Sequence, residues 1–495
     1  MNTKGKILST LRENNDFRIF ILFFVCFIFK YLIYGFCYYP ILDDYIQYGG
    51  YPLYDNPSFV LFEIGTIAAR PLASVLDIFL WGSLWNTPHL MMITAAMFHF
   101  FSCVFFYKTA KENNISLSPL FAVFYLFFPL GSEGSYWISA SSRVVVGLFC
   151  CSIALLYLTK YLKKEKTIFF FVFLVFAACS FGLYESCAVF CFVTSVIIML
   201  LNNKNKKRLI ISSITICLLL LSLLIYMKMA QGIGMGTRAD KSSFMLIFTQ
   251  IDDFFSQLIE ITIKGTANVT LRGFSSGLRV LFSKGFVGIL YIVAILFLCT
   301  VLGRCTAGTT IKSPDKKRIV LQLFAGIIMF FAPFAPNMIV SPVWLTYRTM
   351  FIPFIGLYLI FDVLFAKIAR KSIQTIILTS ILFIFIVSGI NEYDTYKHMH
   401  ELDSAMIKTV CNELPDDVLE GQRNAAILLD DVPNVPQVSF YKDHVKSVFY
   451  TDWSLTGAVR SEMKNMKIKK VTPVYPDMTF DYSDCFVIDL RSIKQ

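Results

Sequence analysis

Apolar runs of bilayer-spanning length alternate with short basic clusters along most of this chain, and the alternation predicts a bundle of transmembrane helices. The first run, Phe17–Phe36, follows Lys4, Lys6 and Arg12. It is longer than a signal-peptide core and no small-residue cleavage site follows it, so it reads as an uncleaved first helix with its N-terminus inside. Further spans are predicted over His89–Tyr107, Leu117–Leu130, Val144–Leu162, Leu209–Met227, Gly285–Leu302, Ile319–Val340, Thr349–Phe365 and Ile373–Ile390. The run from Thr167 to Leu200 is too long for one helix, and SFGLYES breaks it into two with a tight turn near Gly182. With these eleven spans, Lys108 and Lys111, KYLKKEK, NNKNKKR, RCTAGTTIKSPDKKR and KIARKS all fall on one side, as the positive-inside rule expects of the cytoplasm.

Three polar stretches interrupt the alternation. Residues 37–88 form an outer loop rich in aromatic residues, with an interfacial helix at AARPLASVLDIFLWG. Residues 228–284 form a second outer loop, in which FMLIFTQIDDFFSQLIEITI carries Asp252, Asp253 and Glu260. Those acids argue against a span and for an amphipathic surface helix with basic flanks, able to hold lipid phosphates, or for an ordinary solvated loop. The tail, 391–495, is polar enough to fold in water. AAILLDD, VKSVFY and CFVIDL read as strands and SLTGAVRSEMKNM as a short helix, giving a small extracytoplasmic α/β or α+β domain beside a membrane module of residues 1–390.

Composition agrees with this all-α polytopic membrane class. Of 495 residues, 56% are hydrophobic and 16% charged, with a mean hydropathy of +0.62, more apolar surface than a soluble protein of this length covers. The net charge of +11 would suit nucleic acid, but the basic residues lie in loops between spans, so membrane lipids rather than nucleic acid are the expected partner. The 13 cysteines are scattered and mostly inside apolar runs, there is no CxxC, and the five histidines include no HExxH. A structural zinc site is not expected. Cys411 and Cys485 in the tail are the pair that an external compartment would allow to join.

The candidate chemistry gathers on the predicted outer side. YPILDDYIQYGG places Asp43 and Asp44 directly after the first span, and Glu63 and Arg70 follow in the same loop. Glu133 and Arg143 lie in the next outer stretch, Glu185 at the tight turn, and Arg348 in SPVWLTYR. Ionisable groups at membrane depth are costly and call for a partner. Each also has a plain structural role open to it: a solvated loop for Asp43 and Asp44, helix-end capping for Glu185, snorkelling for Arg70, lipid anchoring for Arg348. Pro71 suits the first turn of the interfacial helix and would put Arg70 at its start. Glu133 reads as structural. Carboxylates facing arginines across a cavity would take a polar acceptor and an anionic donor.

These residues resemble the GT-C superfamily of membrane glycosyltransferases, nearest to bacterial O-antigen-modifying, serotype-converting glucosyltransferases. The likeness rests on the Asp43–Asp44 loop, on Ala69-Arg70-Pro71-Leu72 where that kind has a G-R-P-L-like element, and on Tyr184-Glu185. Ala69 replaces the glycine. The resemblance covers about the first 190 residues, and beyond them only the architecture. It implies a polyprenyl-phosphate-linked sugar donor, a glycan or other cell-envelope acceptor, and transfer on the outer face of a bacterial plasma membrane. In that scheme Asp44 or Asp43 takes the acceptor's proton, Arg348 and Arg70 stabilise the departing phosphate, Glu185 and Arg143 complete the substrate site, and the anomeric centre inverts. No cofactor is required for a monophosphate donor; Mg²⁺ or Mn²⁺ held by Asp43 and Asp44 stays open. A lipid-linked glycan polymerase and a lipid-linked sugar flippase are the alternatives, the flippase disfavoured by the absence of an obvious internal repeat.

Overall fold

The computed structural model describes residues 3–68, 70–202, 205–230, 242–306, 316–437 and 445–491, of which 3–17 and 316–318 are described by backbone alone. Ala69, the basic residues Arg238 and Lys241 of the second outer loop, and most of the predicted basic loop before Lys316 lie outside these residues. The chain is mostly helical. In order it forms α1 (Thr3–Leu32), α2 (Pro71–Leu76), α3 (Pro88–Glu112), α4 (Pro119–Phe127), α5 (Ile138–Lys164), α6 (Thr167–Leu183) and α7 (Glu185–Leu201). Then come α8 (Lys206–Met229), α9 (Ile251–Ile259), α10 (Gly273–Ser283), α11 (Gly285–Thr306), α12 (Lys316–Phe331), α13 (Tyr347–Phe365), α14 (Lys371–Glu413) and α15 (Asp452–Met463).

Among the described residues, seven helices are long and apolar enough to cross a membrane, against the eleven spans expected. The shortfall has local causes. The expected span Leu117–Leu130 is only the nine-residue α4, about 14 Å long against a core of roughly 30 Å, because Pro119 starts it and Pro129 opens a separate turn. The expected break in 167–200 occurs at Tyr184, whose extended backbone (φ −157°, ψ 133°) separates α6 from α7. Each of those helices has 17 residues, about 25 Å, short of a full crossing. The first apolar run is cut short, because α1 ends at Leu32, four residues before Phe36, with Lys30 in its last turn. Within α1, Lys30 is buried, donates to the Leu126 carbonyl at 2.9 Å and lies over the rings of Phe27 and Tyr31.

α14 is one continuous 43-residue helix that leaves the apolar bundle and runs into the tail. There β1 (Asn424–Leu428) lies between β2 (Val471–Val474) and β3 (Cys485–Asp489) in a parallel sheet of order β2-β1-β3, with α15 as the crossover between β1 and β2. VKSVFY is not a strand: Val448–Tyr450 is a tight 3₁₀ turn, held by Asp403 of α14 accepting from the Val448 amide at 3.0 Å. The strand that was not expected, Val471–Val474, contains Pro473, and its four residues are buried. Cys411 and Cys485 are free thiols in separate apolar clusters.

The tail is not a detached lobe. α15 packs against the Tyr45–Gly50 turn, and Tyr45 belongs to the tail's own apolar cluster. The contact depends on two glycines: a Cβ on Gly457 would sit 2.2 Å from Ile46 Cγ1, and one on Gly49 would sit 2.1 Å from Ser461 Oγ. Gly457→Val is therefore expected to cost roughly 1–3 kcal/mol through overpacking. Faster hydrogen exchange in α15 and in the 45–50 turn, with α3 and α5 unchanged, is the measurement that checks it.

Candidate active site

Asp43 and Asp44 occupy the turn between α1 and a wide helical turn, Tyr45–Gly50, and they face different surroundings. Asp44 is fully buried. Its Oδ2 accepts from the Tyr38 hydroxyl at 2.6 Å and the Ile41 amide at 2.9 Å, and its Oδ1 accepts from the Ser139 amide at 3.0 Å. Tyr38 Oη in turn accepts from the Ile138 amide at 2.8 Å. The first amides of α5 have no partner within their own helix, and this tyrosine–aspartate pair supplies one from outside. Burial pushes the Asp44 carboxyl up to about 7, against the pull of those donors.

Asp43 is half-buried and lines a cavity of about 420 Å³. Its nearest donor is the Ser139 hydroxyl at 3.5 Å, but that group lies closer, at 2.9 Å, to Gln47 Oε1 and has a single proton to give. Burial raises the Asp43 carboxyl from its ordinary value, while the Arg348 and Arg143 guanidinium groups oppose the rise. The two adjacent acids thus divide. One is an acceptor locked into the fold, the other a carboxylate open to the cavity. With both oxygens of Asp44 facing N–H or O–H donors, the pair does not present two carboxylates to one ion, and no group of three or more metal-ligating side chains forms among the described residues.

Five of the six expected site residues, Asp43, Arg70, Arg143, Glu185 and Arg348, line this one cavity; Asp44 stands behind it and Glu63 lies exposed elsewhere. They arrive from separate helix ends at one face of the bundle. The basic residues Lys111, Lys163, Lys164, Lys206, Arg304 and Lys371 sit at the opposite ends of α3, α5, α8, α11 and α14.

Arg70 takes the N-cap position of α2 with Pro71 in the first turn. Its Nε and Nη2 donate to Glu185 at 3.1 and 3.2 Å, and its guanidinium lies 4.8 Å from the Tyr184 ring centre. Glu185 opens α7, yet its carboxylate goes to Arg70 rather than to its own helix end. With about a third of Arg70 exposed, this pair contributes little to stability and can exchange partners. Arg143 is the opposite case. It donates to Asp77 at 2.5 Å, to the Ser139 carbonyl at 2.8 Å and to Ser142 Oγ at 2.7 Å, deep in the back wall. Both partners are buried, so removing one would strand the other charge. Arg348, at the start of α13, stays 3.8 Å from Glu133 and packs its guanidinium 5.2 Å from the Trp137 ring centre. Long geometry and partial exposure leave its donors available to an anion in the cavity.

Two partners were not legible as site residues. Glu133, which reads as structural in GSEGS, is the buried counter-ion of Arg348 and also accepts from its backbone amide at 3.2 Å. Asp77, hidden in the apolar DIFLW, is the counter-ion of Arg143. A carboxylate in an otherwise apolar interfacial helix was the one available signal for Asp77. The cavity therefore combines one open carboxylate with three guanidinium groups and several hydroxyls, a set suited to a polyhydroxyl group and a phosphate. No protein-family model matches the chain, and no curated protein matches it.

Proposed function

We propose that the chain is a GT-C-like membrane glycosyltransferase that moves a sugar from a polyprenyl-phosphate donor to a hydroxyl of a cell-envelope glycan or other acceptor. The observation that carries this reading is Asp43, half-buried and without a close donor of its own, in one cavity with Arg70, Arg143 and Arg348. A neutral hydroxyl is a poor nucleophile until a base takes its proton, and Asp43 is the base. The oxygen attacks the anomeric carbon, the bond to the phosphate oxygen breaks with its electron pair, and polyprenyl phosphate leaves as an anion. Arg348 stabilises that charge first, because its own counter-ion is held loosely. Arg70 adds to it by releasing part of its hold on Glu185, whose carboxylate then accepts from sugar hydroxyls. Arg143, tied to Asp77 as a neutral pair, fixes the back wall at Ser139 and Ser142 without touching the phosphate. Attack opposite the leaving group inverts the anomeric centre. The basic helix ends opposite the cavity support an extracytoplasmic site in a plasma membrane.

The test is release of polyprenyl phosphate from a polyprenyl-phosphate sugar by the purified protein, followed against pH. Because burial raises the Asp43 carboxyl, the acid limb of the rate is expected at higher pH than an exposed aspartate would give: the base is lost as pH falls through its raised pKa. A rate without an acid limb contradicts the assignment.

A further inference from the structure

The segment between α8 and α11 carries an apolar stripe left exposed by the described residues. Phe244, Met245 and Phe248 are each at least 70% exposed, and Ile251, Phe255, Ile259 and Ile263 continue the stripe at spacings of three or four residues. The opposite side, Phe254, Leu258 and Ile261, is buried in the bundle. The stripe lies in the chain between two helices of membrane-crossing length, α8 and α11, and the first residues of α11, Phe286 and Val287, are themselves 73% and 66% exposed. Ala230 at the end of α8 and Ser242 at the start of the described segment line the same cavity, which puts the segment at the level of that helix end.

On its inner side the same segment grips one wall of the cavity. Two glutamines pair with the backbone of the strap 340–346 much as a neighbouring strand would. Gln250 accepts from the Val343 amide at 2.8 Å. Gln257 accepts from the Leu345 amide at 3.0 Å and donates to the Val343 carbonyl at 3.0 Å. The Ser243 amide donates to the Ile339 carbonyl at 2.8 Å, and Gly265 leaves room for the Tyr347 ring, which a Cβ would approach to 3.3 Å. Val340, Pro342, Trp344 and Thr346 of that strap line the cavity, as does Arg348 two residues beyond it in α13.

We infer that residues 244–263 are a bilayer anchor, and that Gln250 and Gln257 are positioning residues through which lipid contact holds the strap and Arg348 in place. The occupant of the stripe is the bilayer interface, which takes large aromatic and aliphatic side chains at glycerol depth while the polar inner face stays against protein. A neutral amide suits the inner role. It offers one acceptor and one donor edge to a backbone whose own groups would otherwise lie unpaired at membrane depth. The inference holds whatever the cavity binds.

Two measurements test it without an activity assay. Phe248→Trp in vesicles of phosphatidylethanolamine and phosphatidylglycerol is expected to add emission that brominated lipids quench. Unquenched emission would place the stripe against water or a second copy and overturn the anchor. In the same vesicles, Gln250→Ala with Gln257→Ala should speed exchange of the Val343 and Leu345 amides by about tenfold or more, leaving the centre of α13 unchanged. Phe244→Ser with Phe248→Ser should do the same from the lipid side. Strap amides that stay protected in either pair overturn the coupling. Where the double alanine protein unfolds as a whole, the single variants decide: Gln250→Ala is expected to deprotect the Val343 amide and Gln257→Ala the Leu345 amide, and unchanged protection in both contradicts the assignment.

Discussion

Replacing Asp43 with asparagine is expected to lower the rate of sugar transfer by about 10²–10⁴-fold, the usual contribution of a positioned general base, while leaving the fold intact. The fold is spared because Asp43 satisfies little of it: its one neighbouring donor, at 3.5 Å, already serves Gln47. Donor binding should survive as well, since Arg348 and Arg70 are untouched. The loss then falls on turnover rather than on affinity, and the acid limb of the pH profile should disappear with the carboxyl. An equal loss in Ser139→Ala would shift the weight from the base to its neighbour. The account expects that variant to remain active, because Ser139 contacts Asp43 only at long range.

Asp44→Asn should show the reverse pattern. Its carboxylate accepts three hydrogen bonds, two of them from backbone amides, and an asparagine must turn its NH₂ toward at least one of those donors. The expected cost is on the order of 2–4 kcal/mol, read as a lower melting temperature and faster exchange of the Ile138 and Ser139 amides. The pH dependence of stability gives a second signature. Burial raises the folded-state carboxyl from 3.8 to about 7, so between those values the folded protein binds more protons than the unfolded chain. This group's contribution to stability therefore falls as pH rises through that window, and the slope should be missing in Asp44→Asn. If both variants lose only activity, or both lose only stability, the division of labour between the adjacent acids is wrong.

The same division shows what a single sequence can and cannot reveal. Apolar periodicity located nearly every helix, and the Arg70–Pro71 step marked the start of α2, because those features are set by residues a few positions apart. The alternation of spans put the acids and arginines on one expected side, and five of them line one cavity. What Asp44 does depends on Tyr38 and on the first turn of α5, nearly a hundred residues downstream, and nothing in the adjacent letters distinguishes it from Asp43. Glu133 and Asp77 were hidden for the same reason, since each is defined by a distant arginine. The span count failed where length mattered: Pro119 and Pro129 confine α4 to nine residues, and the apolar run around it looked longer than its helix. In the tail, the two prolines of VTPVYP obscured β2, while VKSVFY has strand composition but is bent into a turn by Asp403.

Docking of the tail onto the Tyr45–Gly50 turn ties these parts together. That turn has α15 on one side, through Ile46 and Gly49, and the cavity on the other, through Gln47. The C-terminal part of the chain is thereby a support for the acidic turn, as the 244–263 segment is for the strap that leads into Arg348.

The most direct test of the central claim is turnover of a polyprenyl-phosphate sugar by purified wild type, Asp43→Asn and Asp44→Asn, with the variants compared at equal folded fraction. The account predicts polyprenyl phosphate release by wild type and by the folded fraction of Asp44→Asn, and near-complete loss with Asp43→Asn despite retained donor binding. Full turnover by Asp43→Asn, or transport of the intact lipid-linked sugar with no release of polyprenyl phosphate, would contradict it.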